Sequence, residues 1–338
     1  MRIAVDAMGG DHAPGEVVAG AVRAAESAEV DSVLLVGDKD AISACLPAEP
    51  PAKIRIVHAS QVVEMTDSPA QAVRRKRDSS IVRCLDFVRE GEADAMISAG
   101  NTGALVVGAT IYLKLIKGIK RPGIAVQLPT PTGSCLVIDA GANLDAKPLH
   151  LYHYGVMGSL FVRRVRGEER PTVGLLSIGS ESVKGNDLVK KTRALFESSD
   201  LAFIGNVEGH DVFLGRSSVV VCEGFVGNVL LKVSEGLASA TVAFLREILA
   251  AEMAGRGIPP EAAAAVVERF ERRTDYSEFG GAPLLGVRQT CFVCHGKSRA
   301  RAIENAIREA ARMSREGVIG AIQGELSGRV LWKRSGAS

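Results

Sequence analysis

The sequence alternates short apolar runs with longer segments of helical periodicity, and this alternation most constrains the fold. Strands that are buried on both faces read as continuous apolar runs, because helices cover both sides of a parallel sheet. We therefore predict an α/β fold with three layers, α/β/α, around a mostly parallel sheet. The predicted strands cover residues 3–6, 32–37, 54–58, 94–98, 172–177, 201–205 and 218–222.

The length of the chain allows one large core or two modest ones. It has 338 residues, of which 46% are hydrophobic, so a sizeable core can be buried. No internal repeat or low-complexity linker divides the chain. Glycine and proline interrupt the pattern most clearly in IKGIKRPG, residues 116–123. We treat residues 1–338 as one α/β unit, in which two subdomains would meet at 116–123.

The nearly balanced charge argues against partners that bind through a strong overall electrostatic field. The 41 basic and 39 acidic residues leave a net charge of +2, so nothing indicates binding to nucleic acid. The first residues, MRIAVD, read as a strand instead of a secretory signal, which predicts a cytoplasmic protein. No run of about 18 uncharged apolar residues occurs, so no membrane-spanning helix is predicted.

Glycine-rich loops follow the predicted strands, where ligands bind in sheets of this kind. The loop SAGNTGA, residues 98–104, has almost no side chains, which fits either a tight turn or an anion cradle of backbone N–H groups. Taken alone, any one loop of this type is best interpreted as a turn followed by a helix cap. Several helix N-termini at one edge of the sheet would attract a small anion such as phosphate. The loops are DAMGGDHAPG, SAGNTGA, DAGANLDAKP, SIGSESVKGND, GNVEGHD and EGFVGN.

Other motifs that carry chemistry are missing or weak. The chain has no G-x-G-x-x-G fingerprint, Walker motif or G-x-S-x-G elbow, which favours a small phosphate over a nucleotide. CFVCH at residues 291–295 matches a haem-attachment pattern, but the segment reads as a strand with alternating faces. The pair His150 and His153 has no carboxylate in the same helical register. We predict neither a metal nor a cofactor.

Eight motifs in order resemble the PlsX family of phosphate acyltransferases, and the resemblance extends from residue 1 to about residue 317. It implies transfer of a fatty acyl group from acyl carrier protein to inorganic phosphate. The acyl phosphate would feed a membrane glycerol-3-phosphate acyltransferase in bacterial phospholipid synthesis. The resemblance also implies a homodimer, loose membrane association, and a fold like those of phosphotransacetylases and isopropylmalate dehydrogenases. The motifs are DAMGGD, SAGNTGA, DAGAN, KGND, GNVEGHD, GFVGN, DYSEFGGAPLLG and HGKS.

Phosphate is already an anionic nucleophile, so an enzyme must mainly desolvate it, position it and stabilise the developing oxyanion. Lys184 is the candidate cation, or else an exposed surface lysine. Asn228 is a candidate donor to the carbonyl oxygen, or else the cap of a long helix. His295 is a candidate acid for the leaving thiolate. The predicted phosphate cradle consists of Ser98, Gly100, Asn101, Thr102 and Gly103.

Three polar residues are candidates for organising the loops. Asp6 and Asp11 either orient a donor or hold loops together through backbone N–H groups. Two carboxylates beside a phosphate would repel it unless a cation intervenes. Asn143, in DAGAN, completes this group.

Two surfaces bear on partners. A basic cluster lies near the start of a helix predicted over residues 72–83, where it would receive an acidic carrier protein or form a solvated face. Residues 228–273 read as a long amphipathic hairpin whose apolar stripe a dimer would bury. The hairpin tip carries Arg256, with Met253 and Ile258 as its sizeable apolar groups. The basic cluster consists of Arg74, Arg75, Lys76 and Arg77.

Two other functions fit the same sequence features. One is a phosphotransacetylase-like enzyme that uses acyl-coenzyme A thioesters. The other is a non-catalytic scaffold that binds an anion at the membrane surface. A basic docking face favours the carrier-protein donor, whereas the scaffold predicts phosphate binding without turnover.

Overall fold

The computed structural model describes residues 1–255, 259–274 and 276–335. The strands in these ranges are β1 (Arg2–Asp6), β2 (Ser32–Gly37), β3 (Ile54–His58), β4 (Ala95–Ser98), β5 (Gly123–Thr130), β6 (Gly133–Ile138), β7 (Thr172–Leu176), β8 (Ala202–Val207), β9 (Val219–Val221), β10 (Ala282–Leu285) and β11 (Thr290–Val293). The helices are α1 (Gly15–Ala25), α2 (Lys39–Cys45), α3 (Pro69–Arg75), α4 (Ser80–Arg89), α5 (Thr102–Tyr112), α6 (Pro148–Arg166), α7 (Asp187–Glu197), α8 (Gly209–Leu214), α9 (Gly224–Gly255), α10 (Pro260–Thr274), α11 (Ala300–Arg315) and α12 (Val318–Ser335).

The strands form one sheet in the order β3-β2-β1-β4-β11-β10-β5-β6-β9-β7-β8. Each of the seven predicted strands is present, and the predicted three-layer α/β/α class is confirmed. The expected strand with alternating faces in the CFVC segment is confirmed, because Cys291 and Val293 lie in one buried cluster and Phe292 and Cys294 in the other. Each residue of β11 is buried, because the strand pairs with β4 on one side and β10 on the other.

The sheet consists of two parallel blocks that run in opposite directions. The first block is β1, β2, β3, β4 and β11, and the second is β6, β7, β8 and β9. Strands β10 and β5 join the blocks through antiparallel pairs. Because the blocks run in opposite directions, their carboxyl ends meet only if the two blocks are staggered along the strand direction.

The residue pairing between neighbouring strands shows how far apart these carboxyl ends lie along the strand direction. Ser98 at the end of β4 is level with Val293 and Ala282, and Ile138 at the end of β6 is level with Ala125. Since Leu284 is level with Ile124, the two ends differ by about one residue, or roughly 3 Å along the strands. The stagger brings the loops that follow the strands of both blocks to nearly the same height along the sheet, and ligands bind in such loops.

Apolar side chains cover both faces of the sheet. One buried cluster joins the sheet to α1, α6, α11 and α12, and the other joins it to α3, α4 and α5. Both clusters include residues from before and after 116–123. The meeting of two subdomains at that segment stays a prediction.

Helices α9 and α10 form the predicted hairpin, which starts earlier than expected, at Gly224. Leu230 and Leu231 pack against the core, whereas several other apolar side chains of α9 are exposed. The segment Gly224–Glu252 is long and apolar enough to cross a membrane by length and composition alone. Arg256 and Ile258 of the hairpin tip, and the side chain of Met253, lie outside the described residues.

Candidate active site

Three loops meet at the carboxyl end of the first block. The amide of Cys294 donates to the carbonyl of Ser98 at 2.8 Å, which brings the HGKS loop beside the SAGNTGA loop. The amide of Asp11 donates to the carbonyl of Gly296 at 2.7 Å, so the loop after β1 joins them. Asp11 thus contacts the same loop that carries His295.

A buried carboxylate, Asp6, connects the first two of these loops. Ser98 Oγ donates to Asp6 Oδ2 at 2.6 Å and accepts from the Gly100 amide at 3.0 Å. Burial raises the pKa of Asp6, and hydrogen bonds from the hydroxyls of Ser80 and Ser98 oppose this effect. A Cβ atom on Gly9 would lie 2.6 Å from the Gly100 nitrogen, so this close approach needs glycine. The side-chain oxygens of Asp6 and Ser98 are therefore engaged in joining loops.

The side chain of Asn101 is also engaged by the protein. Its Oδ1 accepts from the Ala104 amide at 3.0 Å and so caps α5. Its Nδ2 donates to three carbonyl oxygens, at 3.1, 3.3 and 3.2 Å, which belong to Glu64, Met65 and Asp67. Asn101 fixes the position of the helix start against the segment that leads into α3.

The first turn of α5 offers the backbone N–H groups that an anion site needs. The amides of Thr102 and Gly103 have no acceptor within the helix, and both residues are partly exposed. The start of α9 differs, because the Glu223 carboxylate accepts from the amides of Phe225 and Val226 at 2.7 and 2.9 Å. Of these two helix starts, α5 is the better site for an anion.

The interpretation of Asn228 as a helix cap is wrong. The helix starts four residues earlier, at Gly224, because Glu223 supplies the cap. Asn228 is exposed, and its Cβ would lie 3.5 Å from a Cβ atom on Gly141. The residue therefore faces the DAGAN loop at the carboxyl end of β6.

A second buried carboxylate, Asp139, holds the DAGAN loop. Its Oδ2 accepts from the Asn143 amide at 2.8 Å. Its Oδ1 accepts three further amides, at 3.0, 3.1 and 2.8 Å, from Ile124, Gly141 and Ala142. Burial raises the pKa of Asp139, and these amides oppose the rise. Sequence reasoning did not single out Asp139, although an acidic residue that ends an apolar run before Ala-Gly-Ala-Asn was a usable signal.

Asn143 connects the loop to α6 and α9. Its Nδ2 donates to the Pro122 carbonyl at 2.5 Å and the Tyr154 hydroxyl at 2.9 Å. Its carbonyl accepts from the Gly224 amide at 3.0 Å. Asn143 thus sets where α9 begins.

His295 lies where α9 reaches the first block. Its Nδ1 accepts from the Lys297 amide at 3.1 Å. Its Nε2 lies 2.8 Å from Lys232 Nζ and 3.7 Å from Glu235 Oε2. Burial and the Lys232 ammonium lower the pKa of His295, which Glu235 and Asp11 partly offset. Sequence reasoning missed Lys232 and Glu235, because the contact joins residues 63 positions apart.

Lys184 is exposed in the loop after β7, on the side of the second block. Its amide donates to the Glu181 carbonyl at 3.1 Å, and its carbonyl accepts from Asn206 Nδ2 at 3.5 Å. No hydrogen bond among the described residues joins this loop to the start of α5. The structure therefore places Lys184 in a loop of the second block, whereas the predicted cradle belongs to the first block.

The basic cluster lies at the end of a helix, and its expected place at a helix start is wrong. Arg74 and Arg75 occupy the last turn of α3, where the helix dipole favours cations. Lys76 Nζ is held by Asp67 Oδ2 at 2.6 Å, and this ion pair lowers the pKa of Asp67. Arg74, Arg75 and Arg77 are exposed. The cluster therefore presents three arginines to solvent, with Lys76 turned towards the protein.

Comparisons with known proteins find relatives over nearly the full length of the chain. The model of a family described as fatty acid synthesis protein matches residues 1–321. A phosphate acyltransferase from Desulfitobacterium hafniense strain DCB-2 is 49% identical over 332 residues, which cover 96% of this chain and 98% of that protein. A phosphate acyltransferase from Heliobacterium modesticaldum is 47% identical over 334 residues, which cover 98% and 99%.

The fold has relatives among solved structures at low sequence identity. A phosphotransacetylase from Streptococcus pyogenes superposes with a TM-score of 0.60 at 16% identity, and covers 93% of this chain and 94% of its own. The expected phosphotransacetylase-like fold is confirmed. With a family model over most of its length and relatives near half identity, the chain belongs to the PlsX family of phosphate acyltransferases.

Proposed function

We propose that this protein transfers a long-chain acyl group from acyl carrier protein to inorganic phosphate, which yields an acyl phosphate for phospholipid synthesis. The observation that carries the proposal is the first turn of α5, where the Thr102 and Gly103 amides are free of intrahelical acceptors beside the HGKS loop. Aligned N–H groups and the helix dipole favour a phosphate dianion at this place. Ser98, Gly100 and Asn101 shape the cradle, mainly by fixing its backbone.

The chemistry needs a carbonyl site opposite the phosphate and a path for one proton. Hydrogen phosphate attacks the thioester carbon, the C–S bond breaks, and the phosphate proton must reach the thiolate sulfur. His295, beside the cradle, takes that proton and returns it to the sulfur. Asn228 and Lys184, on the side of the second block, stabilise the oxyanion. No cofactor or metal enters this scheme.

The decisive experiment is a turnover assay with two donors. Purified protein is given long-chain acyl carrier protein or acyl-coenzyme A with inorganic phosphate. The assay scores free thiol and hydroxylamine-trappable acyl phosphate. We expect product from the carrier donor. Product from coenzyme A alone would favour a phosphotransacetylase-like enzyme, and phosphate binding without product from either donor would indicate a scaffold.

The basic cluster supports a carrier-protein donor because α3 packs on α5. A Cβ atom on Gly103 would lie 2.7 Å from Pro69, the first residue of α3. Arg74 and Arg75 lie about 8 Å farther along the same helix, at 1.5 Å per residue. An acidic carrier protein docked there would deliver its thioester next to the phosphate cradle.

Charge reversal tests this docking surface. The double variant Arg74→Glu/Arg75→Glu should raise the KM for the carrier-bound donor roughly tenfold, since repulsion replaces attraction. The KM for acyl-coenzyme A, where that donor is accepted, and the KM for phosphate should stay unchanged. The matched control is Arg170→Glu, an exposed arginine before the amino end of β7. Equal losses with both donors would refute the docking surface.

The same proposal includes a homodimer. Exposed apolar residues follow α9 at helical spacing, namely Val229, Val233, Leu237, Phe244 and Ile248. Such a stripe is buried when two copies of a hairpin pack together. We place the enzyme in the cytoplasm, peripheral to the inner membrane face, where a membrane glycerol-3-phosphate acyltransferase would receive the acyl phosphate.

A further inference from the structure

We infer that Lys232 and Glu235 of α9 are positioning residues that hold the His295 ring and set its proton affinity. This inference rests on the proposed function, because His295 is the proton carrier in that scheme. The two α9 residues lie on one helical turn, and His295 belongs to a loop of the opposite block. Helix α9 therefore carries Asn228, which is proposed to stabilise the oxyanion, and also contacts His295, the proton carrier.

The contacts among the three side chains form a closed triangle. Lys232 Nζ lies 2.8 Å from both His295 Nε2 and Glu235 Oε2, and Glu235 Oε2 lies 3.7 Å from His295 Nε2. Glu235 is only 20% exposed, and its Oε1 is buried without a hydrogen-bond partner among the described residues. A carboxylate held in this way contributes a fixed charge next to the ring.

The charges around the ring come from three elements. Lys232 and Glu235 face it from α9, Lys297 from its own loop, and Asp11 from the loop after β1. The two lysines disfavour the imidazolium and the two carboxylates favour it. Burial and Lys232 are the largest influences and both lower the pKa of His295, which favours the neutral ring at pH 7. A neutral ring is ready to accept the proton that hydrogen phosphate loses.

The proton then has a complete route. Attack of the phosphate oxygen forms the C–O bond, and Nδ1 of the ring takes the phosphate proton in place of its hydrogen bond from the Lys297 amide, so that the ring becomes imidazolium. Cleavage of the C–S bond leaves a thiolate, which takes the proton from the imidazolium. The products are acyl phosphate and the carrier thiol, and the ring is again neutral. Lys232 favours the second step, because its charge disfavours a long-lived imidazolium.

Two variants should shift the pKa of His295 in opposite directions. Lys232→Met removes a like charge and should raise the apparent pKa of His295 by roughly one pH unit. Glu235→Gln removes an opposite charge and should lower it by a similar amount. Because the neutral ring is the active form, the acid limb of kcat/KM should move to higher pH in Lys232→Met and to lower pH in Glu235→Gln. Comparison with the parent protein cancels the titration of phosphate itself.

Histidine-labelled NMR titration gives a readout that needs no activity. The signal of His295 among the 6 histidines is assigned by its loss in His295→Gln. The control is Glu247→Gln, an exposed residue on the same helix, about 18 Å beyond Glu235 at 1.5 Å per residue. Opposite shifts in the two variants and none in the control are expected.

The inference is overturned if the pKa of His295 shifts equally in Lys232→Met and Glu235→Gln, or does not shift in either. If the two residues only supported the fold, their loss would reduce activity but would not shift this pKa in opposite directions. If the parent protein forms no acyl phosphate, the proposed function fails instead. The NMR shifts then still decide whether Lys232 and Glu235 set the proton affinity of the ring.

Discussion

Replacing Gly227 by alanine is expected to lower kcat/KM for the acyl donor by at least roughly 100-fold and to lower the stability of the protein. A Cβ atom on Gly227 would lie 1.9 Å from the carbonyl oxygen of Asp139 and 2.9 Å from its carbonyl carbon. These atoms belong to the backbone of a loop that Asp139 fixes with several hydrogen bonds, so they cannot move aside cheaply. Overpacking of this kind costs about 3 kcal/mol.

A loss of activity should accompany the loss of stability. The loop and α9 must separate to admit the methyl group, and α9 carries Asn228, Lys232 and Glu235. Displacement of catalytic groups by about 1 Å reduces rates by roughly 100-fold. We expect at least that loss in kcat/KM for the acyl donor, measured in the turnover assay, alongside a lower Tm.

Gly236 provides the matched control on the same helix. A Cβ atom there has no neighbour within 4 Å among the described residues. Gly236→Ala should therefore keep full activity and stabilise α9 by up to about 1 kcal/mol, since alanine is the better helix former. Normal turnover by Gly227→Ala would show that α9 does not need its close contact with the DAGAN loop.

Local patterns predicted where the loops of the first block lie, because these loops directly follow predicted strands, whereas the phosphate cradle itself stays a prediction. Continuous apolar runs located β1 and β4, and the absence of side chains in residues 98–104 indicated a backbone cradle. The same signals could not distinguish Asn101 as a ligand from Asn101 as a cap. Both roles use an asparagine at the start of a helix, and only the three carbonyls near Nδ2 reveal the second.

The parts that the sequence could not predict depend on the antiparallel strands. Neither β5 nor β10 appeared among the predicted strands, so the reversal between the two blocks was invisible. That reversal, together with the stagger of the two blocks, brings the carboxyl ends to nearly the same height and lets α9 cross from Gly224 to His295. The triangle of Lys232, Glu235 and His295 exists only because of this topology, which no local spacing encodes.

Asn101→Asp is the sharpest test of the phosphate cradle, and we expect a loss of both stability and phosphate affinity. Aspartate is a good helix cap, so the bond to the Ala104 amide survives. The lost group is the Nδ2 donor, and a carboxylate oxygen would instead face the carbonyls of Glu64, Met65 and Asp67. Leaving buried polar groups without partners costs roughly 1–3 kcal/mol.

The new charge would also stand at the first turn of α5, where the phosphate dianion is proposed to bind. Like charges at this range repel, and the KM for phosphate should rise at least roughly tenfold, equivalent to about 1.4 kcal/mol. Higher ionic strength should reduce the effect, because salt screens charge repulsion.

Asn101→Ser separates the two effects of that change. Serine keeps a cap and adds no charge, but it also lacks the donor to the three carbonyls. It should therefore share the loss in Tm while retaining most of the phosphate affinity. If both variants raise the KM for phosphate equally, the loss comes from a displaced loop. If Asn101→Asp leaves this KM unchanged, the phosphate binds elsewhere than at the start of α5.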